Sequence, residues 1–545
     1  LKNRGMLDSL KHGREAYHCR AWADAYTSLS LADQSCSLGA EDLELLGTSA
    51  YLTGRDLDFQ RIFERTHHAH VAADDQVRAA RCGFWLGLSF LLRGEIGPAS
   101  GWLSRARRLL KSRDCVEQGY LLLPAAQQCL AEGNGEAAHG AASSAASIGN
   151  RFGDADLIAC ARHLQGRALI QQGQIKPGLV ILDEAMVAVI AGELSAIMTG
   201  LIYCSVIEAC QQVYALSRAR EWTSALSRWC EQQPQMVAFT GTCLVRRAEI
   251  LQFNGAWPDA MTEAHRACKR SQEANREPPG AAFYQQAEIH RLRGEFAAAE
   301  EAYRSATRLG CEPQPGFALL RTAQGRTDAA SASIRRVVNS ATDRLQRTRL
   351  LPAYIEIMLA AGDVQEACSA CRELEEIAEN IDTDALRAMA AHGRGAVALA
   401  QGDAQGALGP LRRAFDAWQQ VEVPYAAACV RVLVALACRS LGDEETAALE
   451  FSLAGSIFQQ LGATPDLARL DALEKREPPV NRQPLTSREL QVLRLITVGK
   501  TNKAIATELS LSERTIDRHV SNILTKLDVP SRAAATAYAY TQKLL

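Results

Sequence analysis

A Gly-Lys-Thr run at residues 499–501, inside TVGKTNKAIA, is the first place where residue types and spacing could do chemistry. Those letters end the phosphate-binding loop of nucleotide hydrolases, G-x-x-x-x-G-K-[ST], whose backbone amides wrap a phosphate that the lysine helps to neutralise. That loop needs its first glycine at position 494, where this chain has Arg494. It also needs a preceding strand. The preceding stretch LTSRELQVLRLI instead sets Leu490, Leu493 and Ile496 at helical spacing with charges between them. A nucleotide site is rejected on these two counts, and no cofactor is expected.

Other candidate chemistry is sparse. The one CxxC, Cys368 to Cys371, lies in VQEACSACRELEEIAE, where both thiols would share a helix face. No second pair or nearby histidine completes a zinc site, so helix packing is the expected role, with redox or metal chemistry as the alternative. RTHHAHVAADD holds His67, His68 and His70, which read as a solvated helix end rather than a metal site. The sixteen cysteines are scattered through helical text and read as reduced, buried small residues. No convergent nucleophile, base and orienting group can be identified in the repeats, so the chain is not expected to be an enzyme.

The elements around the Gly-Lys-Thr run point elsewhere. EKREPPVNRQP interrupts the helical pattern with Pro478 and Pro479 and reads as a linker over 474–484. Thr486 and Glu489 then form a capping box, each side chain able to satisfy an orphan amide of a helix start. That helix runs to about Val498, and Gly499 ends it. Thr501 can cap a short helix that buries Ile505, Ala506 and Leu509. Ser512 can cap a third helix, ERTIDRHVSNILTKL. On it Ile516, Val520, Ile523, Leu524 and Leu527 make one stripe, and Arg514, Asp517, Arg518, Ser521, Asn522 and Thr525 make the opposite face. A short helix, a tight turn and a longer helix with a polar outer face is a helix-turn-helix, whose second helix fits the DNA major groove. Charge agrees. Residues 482–545 carry ten Lys and Arg against five Asp and Glu, net +5, while the whole chain is −2. A small basic tail on an acidic body is the pattern of a nucleic-acid-binding module.

At these residues the tail resembles the LuxR-type helix-turn-helix domain of bacterial regulators. Thr486, Glu489, Gly499, Asn502, Ile505, Ala506, Leu509, Ser512, Thr515, His519, Val520, Lys526, Leu527 and Arg532 stand at that family's characteristic positions. The resemblance implies base contacts from Asp517, Arg518 and Ser521, and phosphate contacts from Asn502, Lys503, Thr515, His519 and Lys526. Arg514 and Asn522 share the same polar face. Many members carry lysine where this chain has Asp517. An aspartate there would repel phosphate, and is expected to orient Arg518 or Arg514, or to accept from a cytosine amino group. The last helix, SRAAATAYAYTQKLL, corresponds to the family's usual dimer contact, which implies a homodimer on double-stranded DNA.

The remaining text repeats. LLRGEIGPASGWLSRARRLL returns as LRGEFAAAEEAYRSATRL, LAAGDVQEACSACREL, LAQGDAQGALGPLRRAF and SLGDEETAALEFSLAGSIF. Each has an apolar helix end, a glycine, a polar residue, and a second helix rich in alanine. The marking glycines are 54, 94, 133, 173, 255, 294, 325, 362, 402 and 442, mostly about 40 residues apart. Gly173 to Gly255 spans twice that interval and hides a unit, with Arg220 aligned at the glycine position. A first unit falls near Arg20. A helix pair cannot bury its apolar face alone, so neighbours stack into a superhelix. The pattern resembles a tetratricopeptide-type solenoid, with spacing longer than that family's 34 residues.

The expected fold is therefore all-α: a tetratricopeptide-like solenoid over 1–473, the linker, and a four-helix LuxR-type domain over 485–545. Solenoids of this kind bind partners along a concave surface lined by the first helix of each pair. Tyr203, Glu208, Gln212, Arg246, Tyr284, Gln285 and His290 are the polar candidates there, for a peptide, protein or small ligand, unless they satisfy one another between helices. No run of 18 apolar residues suggests a membrane span, and LKNRGMLDSLKHGREAY lacks the apolar core of a secretory signal, so a cytoplasmic protein is expected. The chain opens on Leu1, which leaves the native start open. The architecture resembles large LuxR-type regulators with helical repeats, without the ATPase module that many of them carry and without a receiver domain. The expectation is a transcription regulator controlled through its body. The alternative is an interaction scaffold tethered to DNA by its tail.

Overall fold

A computed structural model describes residues 2–111, 113–233, 235–238, 240–273, 278–475, 485–509, 511–527 and 529–541, and every regular element among them is a helix. From Lys2–His18 to Thr464–Lys475 the helices run as antiparallel hairpins, each packed on the next.

One unit explains the rest. The helix Asp384–Ala400 ends at Gln401, and Gly402 takes φ +82°, a left-handed turn that glycine adopts without steric cost. Asp403 follows as the cap of Ala404–Gln420, its carboxylate accepting from the Gly406 amide at 2.8 Å. Gly133–Asn134, Gly362–Asp363 and Gly442–Asp443 repeat the device. The two helices then close tightly: a Cβ on Gly395 would collide with the Leu411 side chain. Leu411 is fully buried and Trp418 nearly so, each worth roughly 1.5–3 kcal/mol of burial.

The missing unit is present, but its turn is at Tyr214 (φ +55°), between Ala196–Gln212 and Leu216–Glu231. Arg220, expected at the turn, lies inside the second helix. Because a non-glycine residue occupies the left-handed position, the usual marker is absent. Arg20 has φ +60° and does close the first hairpin.

Hairpins far apart in sequence also meet, so the array coils upon itself. The Val237 and Ala238 amides donate to the Leu52 carbonyl at 2.8 and 3.0 Å, and Trp22 Nε1 donates to Gln233 at 3.0 Å. Lys176 pairs with Asp382, Thr383 Oγ1 donates to the Val213 carbonyl at 2.9 Å, and Trp257 shares a core with Phe451 and Phe458. His67 and His70 pack instead against adjacent helices, His67 on the Ala79 carbonyl and His70 on Glu44, and are 0% and 4% exposed; of the expected solvated helix end only His68 is exposed. Cys371 of the CxxC is buried, its thiol pushed up to about 12 chiefly by burial, in keeping with a packing role.

The tail is a separate small core. We label its helices α1 (Ser487–Thr497), α2 (Asn502–Glu508), α3 (Glu513–Leu527) and α4 (Arg532–Thr541). Val492, Leu493, Ile496, Ile505, Ile516, Ile523, Ala535 and Ala539 fill it. Of the expected linker, residues 476–484 lie outside the described residues.

Candidate nucleic-acid interface

The tail's local structure follows its capping chemistry. Thr486 Oγ1 accepts from the Glu489 amide at 3.2 Å and Glu489 accepts from the Thr486 amide at 2.8 Å, a complete capping box. Gly499 stands at φ +78° and ends α1. Thr501 caps α2 by accepting from the Ala504 amide at 3.3 Å. Ser512 Oγ accepts from the Thr515 amide at 3.1 Å, at the start of α3. Lys500 pairs with Glu508 on the surface, a setting unlike a phosphate loop.

These caps fix the rotation of α3. Ile516, Val520, Ile523 and Leu527 face the core, and Leu524 is half-buried. Arg514, Asp517, Arg518, Ser521, Asn522 and Thr525 are exposed on the other side, with Thr515 and His519 half-buried at its margin. Lys503 is exposed on α2. Among the described residues no carboxylate pairs with Lys503, Arg514 or Arg518. Three cations thus stand free beside a ridge of small polar side chains, an arrangement able to meet phosphates and base edges together.

Several of the expected contact residues have internal partners. Asn502 donates its side-chain amide to Asp517 and accepts from Arg532, which also donates to the Lys500 carbonyl at 2.6 Å. Asp517 is therefore held by Asn502, not by Arg514 or Arg518 as the sequence suggested. The relay ties α2, α3 and α4 together, and it spans 15 and 30 residues, too far for any local pattern to disclose. Lys526 donates to Glu489 at 2.7 Å, locking α3 to the start of α1. Burial alone would raise the Glu489 carboxyl. The Lys526 ammonium and the Thr486 hydrogen bonds outweigh it and hold the carboxyl below its ordinary value.

In the body the candidate ligand residues do not gather at one point. Tyr203 and Gln285 are buried, Tyr203 with its ring 5.9 Å from Trp229 and Gln285 bonded to Gln252. Glu208 and Arg246 do meet, at 2.9 Å, and Arg246 also reaches Glu249 at 3.6 Å. Arg349 stacks its guanidinium 5.0 Å from the Tyr284 ring centroid. His290 pairs with Glu295, and Gln212 is exposed. Glu249 and Arg349 were not foreseen. Glu249 sits three residues after Arg246 and was findable by helical spacing, whereas Arg349 arrives only through the coiling of the array.

The tail thus belongs to the helix-turn-helix class of DNA-reading folds. Residues 483–539 match the family described as bacterial regulatory proteins, luxR family, and form that family's domain. The chain is 37% identical over 97 residues to the transcriptional regulatory protein LiaR of Bacillus subtilis, covering 18% of this chain and 41% of LiaR. It is 50% identical over 58 residues to a nitrate/nitrite response regulator protein homolog of Haemophilus influenzae, covering 11% and 28%. It is 43% identical over 61 residues to the response regulator protein VraR of Staphylococcus aureus, covering 11% and 29%. The chain spans less than half the length of these relatives. Among solved structures, a Rap protein complexed with competence and sporulation factor aligns at TM-score 0.46 and 14% identity, covering 65% of this chain and 99% of that one.

Proposed function

We propose that the protein is a DNA-binding transcriptional regulator whose tail, residues 485–545, reads double-stranded operator DNA with α3. The observation that carries this reading is the exposed face of α3, where Arg514 and Arg518 stand free of carboxylates beside Ser521 and Asn522. Arg518 reads bases. Lys503, Thr515 and His519 meet phosphates at the margins. Asn502 and Lys526 act first as braces of that face, since both are bonded within the domain.

The tail works as a homodimer through α4. Its outward positions Ala533, Ala537 and Tyr540 are exposed, Tyr540 by 64%, a small apolar face suited to a second copy. Residues 1–473 form the regulatory body, joined through 474–484. Control comes from a peptide, protein or small ligand meeting the array near Arg246, Glu208 and Tyr284, where Arg349 adds a guanidinium set over the Tyr284 ring with Glu249 close by. No helix among the described residues is long and apolar enough to cross a membrane, and the regulator acts in the cytoplasm.

The test is to map the genomic DNA bound by the full chain and measure transcription of the adjoining genes with and without it. Discrete sites with altered transcription support the regulator. Discrete sites with no change in transcription favour a tethered scaffold, and no sequence preference contradicts both the operator and the reading face.

A further inference from the structure

Three successive helices near the start of the array, Ala40–Leu52, Asp56–Ala72 and Gln76–Leu92, bring Glu44, His70 and Cys82 to one point. One ligating atom from each lies within 4.8 Å of the other two. His70 and Cys82 are 4% and 1% exposed, while 40% of the Glu44 side chain remains in water, so the trio has one open side. His70 presents Nε2 to Glu44 at 2.8 Å. Its Nδ1 stands 4.0 Å from Asp75. At 4.0 Å Asp75 makes no hydrogen bond to the ring, but a small shift would bring it to the second ring nitrogen, where a carboxylate is the usual way a ligating imidazole is oriented and made more basic. A His–Glu ion pair alone accounts for two of the three groups and assigns nothing to the thiol pressed against them.

We propose that Glu44, His70 and Cys82 bind a divalent transition metal of the zinc class, with Asp75 orienting His70 from behind. The donor set decides the class of ion. A thiolate with an imidazole suits zinc or cobalt and is a poor match for magnesium or calcium, which take oxygen ligands. Charge balances as well. On binding, the Cys82 thiol gives up its proton to solvent and forms a metal–sulfur bond. One thiolate, one carboxylate and a neutral imidazole around a divalent ion then sum to zero, which suits a site with two nearly buried ligands. Three protein ligands leave a fourth tetrahedral position, on the open Glu44 side, for water or another donor. The ion would join three consecutive helices and stiffen the first hairpins of the array. Arg78, paired with Glu41 at 3.0 Å and lying 3.7 Å from Asp75, and Arg81, which acts on Cys82, are nearby cations.

The experiment is a titration of the full chain, chelator-treated and kept reduced, with Co2+ followed by optical absorption. The expected result is one equivalent bound per chain, with a sulfur-to-cobalt charge-transfer band and the visible bands of tetrahedral cobalt, all bleached by added Zn2+ and untouched by Mg2+. Cys82→Ala should abolish the charge-transfer band, and Cys371→Ala should leave it intact. Glu44→Gln, on the water-facing side and tolerable to the fold, should weaken binding by more than tenfold. Asp75→Asn, which preserves the helix cap, should weaken it by about 10–100-fold. No band in the wild-type chain, or a band that survives Cys82→Ala with circular dichroism unchanged, overturns the proposal. So does unaltered affinity in Glu44→Gln, which covers the case in which Cys82→Ala fails to fold. Each of these readouts is independent of DNA binding.

Discussion

Three arginines of the body and two of the tail stand in opposite surroundings. In the body Arg335 bridges Asp363 and Glu366 at 2.8 and 2.6 Å, Arg347 grips Glu373, and Arg218 holds Asp183 at 2.9 Å. Their charges are matched by carboxylates of adjacent helices. On α3 of the tail, Arg514 and Arg518 are exposed and, among the described residues, pair with no carboxylate, and the same holds for Lys503 on α2. The same residue type therefore acts as mortar in one region and is left exposed in the other, where the proposed function uses it as a contact surface. The tail's own mortar is a different set: Lys526 on Glu489, and Arg532 on Asn502.

The comparison breaks most severely if the tail core is opened. Ile516→Ala should remove about 2–5 kcal/mol from the tail, abolishing DNA binding while the body's thermal transition stays in place. Calorimetry should show the two regions responding separately, and a shift of both together would mean that they fold as one.

Next in size is the brace under α3. Glu489→Gln should cost about 1–3 kcal/mol near neutral pH, because a part-buried charged hydrogen bond from Lys526 is lost. The pH dependence gives the sign. The folded-state carboxyl of Glu489 lies below its ordinary value, so its contribution is present above the ordinary carboxylate range and disappears as pH falls through the folded value. Acid titration of tail stability should therefore be less steep in the variant, and an unchanged slope would remove Glu489 from the brace.

Gly499→Val comes third. A β-branched residue at φ +78° is strained by roughly 1–2 kcal/mol, so tail melting temperature and DNA affinity should fall together. Nothing else stands within 4 Å of a Cβ there, so the effect isolates backbone strain. Lost affinity with unchanged melting would instead point to a direct contact at this turn.

The smallest change belongs to the body's mortar. Arg335→Ala should cost no more than about 1 kcal/mol, since its pairs are partly exposed and screened. The salt dependence of DNA binding should be unaffected, as measured by fluorescence anisotropy at several salt concentrations.

These contrasts also mark how far the sequence could be read. The glycine-plus-acid signal at Gly402 and Asp403 is local, so the hairpins and their caps were legible. So were the polar and apolar faces of α3, since both follow from helical spacing after a visible cap. Tyr214 was not, because a tyrosine in a left-handed turn carries no marker. His67 and His70 were misread because their burial depends on neighbouring hairpins, and Glu44 and Cys82 meet His70 only after three helices stack. The Asn502–Asp517 and Lys526–Glu489 bonds separate braces from free cations, and such long-range pairing leaves no periodic trace.

The central claim is that free cations on α2 and α3 hold DNA while Arg518 reads it. The most direct test measures the full chain's affinity for its selected DNA site and for random DNA across a salt series, in wild type, Arg518→Ala and Lys503→Ala. The account predicts a log–log salt slope of about −0.9 per phosphate neutralised. Arg518→Ala should lose about 1–3 kcal/mol on the selected site and much less on random DNA. Lys503→Ala should weaken both DNAs alike and reduce the slope by about 1. Salt-independent affinity, or equal losses for the two variants on both DNAs, would contradict it.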